Sequence, residues 1–335
     1  MLNLEDCEKD DRYTVSPIQD LEVYDWYKRQ VGGLWHPEHL DVELAKDKYH
    51  WPNIASNIQK TVKIVLSFFA ISDGVVNETI ESAISGRIKS RECQLWYNFQ
   101  KMMEDIHNIT YGKLIEQYIV DVAERKELLD ALTNFPSIKG KVDWIHKHVR
   151  GEKIPLAKIL FINTIVEGLM FSSSFAVIFW IADTFRVEAG GMALPGLSKA
   201  NEWISRDEGM HTEFGELMYR RCRYKLSAEE VEKIMREAVE IESMFVREAM
   251  PEKMPAMNQD LMIQYVQYVA DGLLLDLGYK KIYNATNPFG FIIKQNMSVR
   301  QGDFFTDRAI TEYKATLLSG VKEADATPDP DDEEF

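Results

Sequence analysis

Four carboxylate residues lie in mainly apolar stretches of the sequence, and two of them begin an E-x-x-H pattern. On a helix, positions i and i+3 share one face, so each pattern can present a carboxylate oxygen and an imidazole to the same metal ion. A buried carboxylate costs free energy unless it is paired or binds a metal. The six candidate metal ligands are Asp73, Glu104, His107, Glu167, Glu208 and His211.

The order of these residues carries more information than either E-x-x-H pair alone. A single pair most often lies on a solvated helix face. Here the order carboxylate, E-x-x-H, carboxylate, E-x-x-H runs along four successive long helical stretches. Two carboxylates and two Glu-x-x-His pairs form the ligand set of ferritin-like di-iron proteins. Oxygen-rich coordination with open positions suits iron that reacts with dioxygen, with manganese as a competitor.

A tyrosine and several apolar residues accompany the candidate ligands. Tyr111 shares a helical stripe with the first E-x-x-H pair, so we expect its phenol to lie near the metals. The ordinary alternative is that Tyr111 and its neighbours are core residues. The functional interpretation is that three apolar residues on the helical stripes of the other ligands form a dry sheath around the phenol, as a long-lived tyrosyl radical needs. These residues are Phe171, Phe175 and Ile204.

Helix-forming sequences must position these residues. No alternating run of β-branched residues stands out, so we predict one all-α domain, a ferritin-like helical bundle with additional helices around a central di-iron four-helix core. Ser198 is the expected cap of the helix that carries the second E-x-x-H pair. The predicted helices run over 57–88, 92–123, 138–149, 156–182, 199–223, 227–249 and 258–277.

Both ends of the chain differ from this body. Residues 1–55 are rich in turn formers and aromatics, and we predict an N-terminal arm that wraps the helical domain, 56–315. Residues 316–335 are acidic, and the last fifteen, VKEADATPDPDDEEF, bury too little apolar surface to order themselves. The terminal Phe335 is either incidental or the anchor of a peptide that docks in a partner's groove.

Composition excludes several classes of protein. A formal net charge of −15 argues against nucleic acid and anionic membranes as partners. The three cysteines form no C-x-x-C pair, which suits a reducing compartment, and the N-terminus has no secretory signal. The apolar run 156–182 contains Lys158 and Glu167, and its uncharged part, 168–182, is shorter than the ~20 residues of a membrane span. We therefore predict a buried helix there.

Four segments resemble the small subunit of class I ribonucleotide reductases of the eukaryotic or large-virus kind: FFAISDGVVNE, MEDIHNITYGKLI, VEGLMFSSSFAVIFW and NEWISRDEGMH. The similarity runs from Tyr24 to Tyr313, nearly the whole chain. It implies an oxidoreductase component that generates a tyrosyl radical for the reduction of ribonucleotides to deoxyribonucleotides, the precursors of DNA. Asp73, at a position where ferritins carry glutamate, favours the reductase over an iron store.

The resemblance also implies a role for each candidate residue. The six ligands would hold two iron ions per chain, oxo-bridged when oxidised, with manganese as a substitute. Tyr111 would carry the stable radical. The radical would leave through a path of residues that begins at His107, where Asp207 would link His107 to Trp35 by hydrogen bonds and Arg206 would lie nearby. Tyr313, in RAITEYKATLL, would be the exit residue.

Partners are likewise implied by the resemblance. The chain would form a homodimer in the cytoplasm and dock on the large catalytic subunit through the tail that ends in Phe335. Nucleotide reduction would occur on a cysteine of that subunit, in agreement with the lack of a dithiol here.

Three alternatives remain open from the residues. The chain could be a ferritin-like iron store or ferroxidase, or a di-iron oxidase that acts on a small substrate through an apolar channel. It could also be a helical scaffold in which polar core groups merely satisfy one another.

Overall fold

The computed structural model describes residues 10–151, 153–185 and 193–291, and these form a helical protein with no β-strand in the described ranges. The longer helices are α1 (Leu21–Gly32), α2 (Asp41–His50), α3 (Ser56–Thr79), α4 (Arg91–Tyr118), α7 (Pro136–Val149), α8 (Leu156–Ile165), α9 (Ser172–Thr184), α10 (Pro195–Arg221), α11 (Ala228–Ala249) and α12 (Gln259–Asp276). Two short helices, α5 (Val122–Leu129) and α6 (Ala131–Asn134), lie between α4 and α7. Short 3₁₀ turns cover Pro37–Leu40 and Trp51–Asn53.

Two of the long helices contain π-turns, which the sequence pattern did not predict. The helix predicted over 57–88 is α-helical only to Thr79 and continues as a π-turn, Ile80–Ser85. The helix predicted over 156–182 is divided into α8 and α9 by a second π-turn, Val166–Met170, which carries Glu167. A π-turn adds a residue to one turn without changing the apolar composition, so hydrophobic periodicity does not reveal it.

Helix ends were predicted well where the cap is local. The helices predicted over 227–249 and 258–277 begin one residue later than predicted, where Ser227 and Asn258 accept hydrogen bonds from the backbone N–H groups of Glu230 and Leu261, at 3.2 and 3.0 Å, and so cap α11 and α12. The helix predicted over 92–123 ends at Tyr118 instead. The Asp121 side chain accepts from the Glu124 backbone N–H at 2.8 Å and starts a new helix, α5.

The predicted cap of α10 was wrong. The helix begins at Pro195, so Ser198 lies inside it. Its first N–H groups, on Gly196 and Leu197, donate to the Asp47 carboxylate of α2 at 2.9 and 2.8 Å. Because this cap comes from a distant segment, the sequence around Ser198 carries no sign of it.

The central layer of the fold consists of α3, α4, the α8–α9 helix and α10, which pack on one another. Around them, α1 packs on α4, α2 on α10, and α11 on α7 and α12. The 29-residue stretch Leu156–Thr184 is long and apolar enough to cross a membrane by composition alone, but 78% of its most apolar window is buried inside the protein. This burial agrees with the predicted core helix.

Candidate metal centre

Each helix of the central layer brings part of the predicted ligand set to one buried region. Asp73 comes from α3, the first E-x-x-H pair from α4, Glu167 from the π-turn, and the second pair from α10. All six side chains are at most 2% exposed. Their burial rules out the alternative in which the E-x-x-H pairs lie on solvated helix faces.

The six side chains form two groups that share Glu104. Candidate ligand atoms of Asp73, Glu104 and His107 lie within 4.8 Å of one another. The same limit holds for a second set, Glu104, Glu167, Glu208 and His211. Two overlapping sets of oxygen and nitrogen atoms suit a pair of ions with a shared carboxylate between them.

Two glutamates lie between the two imidazole rings. His107 Nδ1 lies 3.3 Å from Glu104 Oε2 and 3.1 Å from Glu208 Oε1. His211 Nδ1 lies 3.0 Å from Glu104 Oε1 and 3.3 Å from Glu208 Oε2. Each carboxylate thus presents one oxygen to either ring, as expected of a group that bridges two ions.

The polar groups of the site do not satisfy one another fully. Neither carboxylate oxygen of Asp73 has a hydrogen-bond partner among the described residues, although the side chain is completely buried. A buried carboxylate without a partner is costly, and a bound cation would remove that cost. The donor set therefore fits a divalent metal, and it counts against a scaffold whose core groups merely satisfy one another.

The electrostatics of the site point the same way. Burial and the neighbouring Glu104 raise the pKa of Asp73 well above its usual value, and burial and Glu208 raise that of Glu167. Burial alone would lower the pKa of His211, but the nearby carboxylates outweigh it and raise the pKa to about 9. Without metal, the cluster therefore holds protons, and a bound cation would displace them.

The predicted partners of His107 lie beside it. His107 Nε2 is 3.2 Å from Asp207 Oδ2, and Trp35 Nε1 donates to the same oxygen at 2.7 Å. The rings of Trp35 and His107 are stacked, with centroids 5.8 Å apart. Arg206 Nη2 donates to Asp207 Oδ1 at 2.7 Å and to the carbonyl oxygen of Gly33 at 2.8 Å. Burial would raise the pKa of Asp207, but the charges and hydrogen bonds of Arg206 and His107 outweigh burial and lower it. The carboxylate of Asp207 is therefore kept ionised.

The sequence analysis missed several residues that contact the ligands, among them Gln100 and Gln30. Gln100 Nε2 donates to Glu167 Oε1 at 2.8 Å, and the Gln30 side-chain amide is 2.9 Å from His211 Nε2. Gln100 lies four residues before Glu104, on the same stripe of α4, so helical spacing could have identified it. Gln30 comes from α1, and no local pattern points to it.

Tyr111 is buried, as predicted, but the aromatic ring that contacts it was not among its predicted neighbours. The Tyr111 side chain is 2% exposed, and the Phe69 ring stacks on it at 4.7 Å and 15°. The predicted residues Phe171 and Phe175 pack on Phe69, with ring centroids 5.8 and 5.1 Å from that of Phe69. Ile204 is fully buried on α10. Phe69 lies four residues before the Asp73 ligand, the spacing that could have revealed it.

The Tyr111 hydroxyl is kept neutral. Its oxygen has no hydrogen-bond partner among the described residues. Burial, followed by the negative charge of Asp73, raises the pKa of Tyr111 well above its usual value. A dry phenol thus lies within electrostatic reach of the candidate metal ligands.

Comparison with known proteins decides the family. Residues 12–288 match the family model of the ribonucleotide reductase small chain. The chain belongs to this family. It is 38% identical over 321 residues to ribonucleoside-diphosphate reductase subunit M2 of Danio rerio, covering 96% of this chain and 80% of that protein. Identity to the Homo sapiens subunit M2 is 36% over 321 residues, with the same coverage. The solved ribonucleotide reductase Rnr4 homodimer of Saccharomyces cerevisiae is 28% identical, with a TM-score of 0.75, and covers 89% of this chain and 92% of that chain.

Membership of the ribonucleotide reductase small-chain family confirms the resemblance found in the sequence and the predicted ferritin-like helical fold. It also identifies the protein as an oxidoreductase component, and nothing in these comparisons favours an iron store. Two of the predicted site residues, Tyr313 and Phe335, lie outside the described residues.

Proposed function

We propose that this ribonucleotide reductase small chain holds two iron ions in the six-residue centre and uses them to form a radical on Tyr111. The radical is then passed to a large subunit that reduces ribonucleotides. The observation that carries the proposal is the convergence of six buried ligand side chains near a buried phenol that has no hydrogen-bond partner among the described residues. When bound, reduced iron supplies the one-electron oxidant by reaction with dioxygen. The same oxygen-rich set would accept manganese.

The protein's own groups hold this chemistry in place. Glu104 and Glu208, which each face both histidine rings, would help to hold the ions, and each histidine would do so through Nδ1, the ring atom that faces these carboxylates. Gln100 holds Glu167 by its amide. The Nε2 atom of His107 faces Asp207, which orients the ring. A carboxylate that orients a metal-bound histidine also raises its basicity as a ligand.

Oxidation of Tyr111 must also release a proton. The phenol is neutral because burial raises its pKa. Among the charged groups near it, Asp73 has the largest electrostatic effect on that pKa. Asp73 is therefore the charged group that most opposes ionisation of the phenol. The rings of Phe69, Phe171 and Phe175 exclude the water that would otherwise quench the radical.

The hydrogen-bonded series His107, Asp207 and Trp35 is the proposed route for the electron that enters or leaves the centre. Arg206 holds Asp207 by its guanidinium group. Tyr313 is the proposed next residue toward the large subunit.

The proposed assembly follows from the family. We propose that residues 1–55 form an arm on the helical domain, 56–315, and that the tail 316–335 docks on the large subunit through Phe335. We also propose a homodimer that works in the cytoplasm, with neither nucleic acid nor a membrane as a partner. The yeast relative of known structure is a homodimer.

Anaerobic loading with Fe(II), followed by air, tests the proposal. We expect a tyrosyl signal by electron paramagnetic resonance in the wild type and no such signal in Tyr111→Phe, which keeps all six ligands. Uptake of a large iron core without the signal would instead show a store.

Reconstitution with a large subunit tests the role in ribonucleotide reduction. Nucleotide reduction should appear only when both subunits are present and should be lost when the last residues through Phe335 are removed. Oxidation of a small substrate by the isolated chain, without nucleotide reduction, would point to a di-iron oxidase.

A further inference from the structure

A buried ion pair outside the ligand set links α7 to α11. Lys141 Nζ lies 2.6 Å from Glu242 Oε2, and the two side chains are 1% and 0% exposed. The ammonium group also lies over the rings of Phe68 and Phe245, 3.6 and 3.9 Å from their centroids. The proposed radical chemistry uses neither charged group, so the pair needs a different explanation.

The pair contacts the helix that carries Glu167, on both sides of Phe171. On one side, Lys141 Nζ donates to the carbonyl oxygen of Met170, the last residue of the π-turn, at 2.8 Å. On the other side, Ser173 Oγ donates to Glu242 Oε1. One charged pair is thus bonded to the end of the π-turn and to the first turn of α9.

The π-turn determines which way Glu167 and Phe171 face. Each residue advances an α-helix by about 100°, so the extra residue of a π-turn changes the phase between the side chains before and after it. Glu167 lies within the turn and belongs to the metal centre, whereas Phe171 follows the turn and packs on Phe69 beside Tyr111. A regular α-helix, without the extra residue, would not direct Glu167 to the metal centre and Phe171 to Phe69 at the same time.

Stability alone does not account for the pair. A buried ion pair often contributes less than well-packed apolar residues of the same size, because desolvation offsets the attraction. Burial here acts on both partners, since it lowers the pKa of Lys141 to about 8 and raises that of Glu242. The best-supported use of such groups is to select one structural arrangement among several.

We propose that Lys141 and Glu242 are positioning residues that fix the π-turn Val166–Met170 and thereby hold Glu167 and Phe171 in register with the metal centre. The inference rests on the proposed function only in taking Glu167 as a metal ligand. The effect of the ion pair on the π-turn does not depend on the proposed function.

Three variants test the proposal. Lys141→Met leaves Glu242 buried without its cationic partner, so we expect strong destabilisation, which by itself would mask any effect on the π-turn. The double variant Lys141→Met/Glu242→Met replaces the pair by apolar side chains of similar length and should recover most of the stability. Lys139→Met, on the same helix, removes an exposed lysine that pairs with Asp143 and serves as the control.

Hydrogen exchange of the metal-free protein is the first measurement. In the double variant, we expect amides of residues 166–174 to exchange at least tenfold faster than in the wild type, while amides of α4 keep their wild-type protection. The second measurement is titration with Co(II), followed by its visible absorption. The double variant should bind one of two Co(II) ions at least tenfold more weakly, and Lys139→Met should behave as the wild type in both measurements.

These results separate a positioning role from a structural one. A double variant with wild-type exchange in 166–174 and wild-type Co(II) affinity would overturn the proposal. If the wild type bound no metal, the proposed function would fail, but the exchange of the π-turn would still test the role of the ion pair.

Discussion

Replacement of Phe69 by alanine should shorten the lifetime of the Tyr111 radical far more than loss of stability would explain. Phe69 is 1% exposed and stacks on Tyr111, and its ring also contacts Phe171 and Phe175. A buried Phe→Ala change costs about 3–5 kcal/mol, and the stacked pair with Tyr111 accounts for about 0.5–1.5 kcal/mol of such a loss. The larger consequence is a cavity beside the phenol, one helical turn from the buried Asp73 carboxylate, that water can enter.

Phe161→Ala is the matched control. Phe161 is 0% exposed and packs on Tyr219 and Tyr279, so its removal should cost a similar amount of stability in a different part of the core. Denaturant unfolding of the metal-free variants gives the two free energies. Loading with Fe(II) and air, followed by electron paramagnetic resonance over time, gives the decay of the radical.

We expect both variants to lose about 3–5 kcal/mol, and only Phe69→Ala to lose its radical at least tenfold faster than the wild type. Equal decay rates in the two variants would refute the reasoning, because the Phe69 ring would then not be the barrier that keeps the phenol dry. A Phe69→Leu variant should show an intermediate decay rate, since it fills part of the cavity.

Two further predictions test a buried charge and the packing of glycines on the helices that carry the candidate ligands. Burial raises the pKa of Glu216 to about 7 from 4.5. The carboxyl group therefore favours folding below pH 4.5 and loses that contribution as the pH rises to about 7. Glu216→Gln should stabilise the protein at pH 8 by at most ~3 kcal/mol and should change its stability little at pH 4.5. Urea unfolding at both pH values checks this, and an equal gain in the exposed Glu116→Gln would contradict it. A Cβ at Gly168 would lie 2.8 Å from Leu273 Cδ2, so Gly168→Ala should destabilise the protein by about 1–3 kcal/mol. A Cβ at Gly112 would meet no atom, so Gly112→Ala should stabilise the protein by about 0.5–1 kcal/mol through its higher helix propensity. Thermal unfolding that ranks the two alanines in the opposite order would show that helix propensity, rather than close packing, governs both positions.

Local patterns predicted the ligand set because its spacing is a property of the helix. The pairs Glu104/His107 and Glu208/His211 need only three residues of helix to share a face, and the structure brings all four side chains to one site. The same logic predicted the position of Tyr111 in a buried aromatic pocket. The starts of α11 and α12 were predicted to within one residue, and their caps, Ser227 and Asn258, are formed within one helical turn.

Tertiary structure decided what depends on segments far apart in the chain. The start of α10 is set by Asp47, the support of His211 comes from Gln30, and the π-turn that aims Glu167 is bonded to the Lys141–Glu242 pair. Each of these contacts joins groups that are far apart in the chain, so no spacing along the sequence records it. The amino-acid sequence therefore determined which groups could bind metal and carry a radical. Only the packing of the helices decided how those groups are held, because their supporting partners come from other elements of the fold.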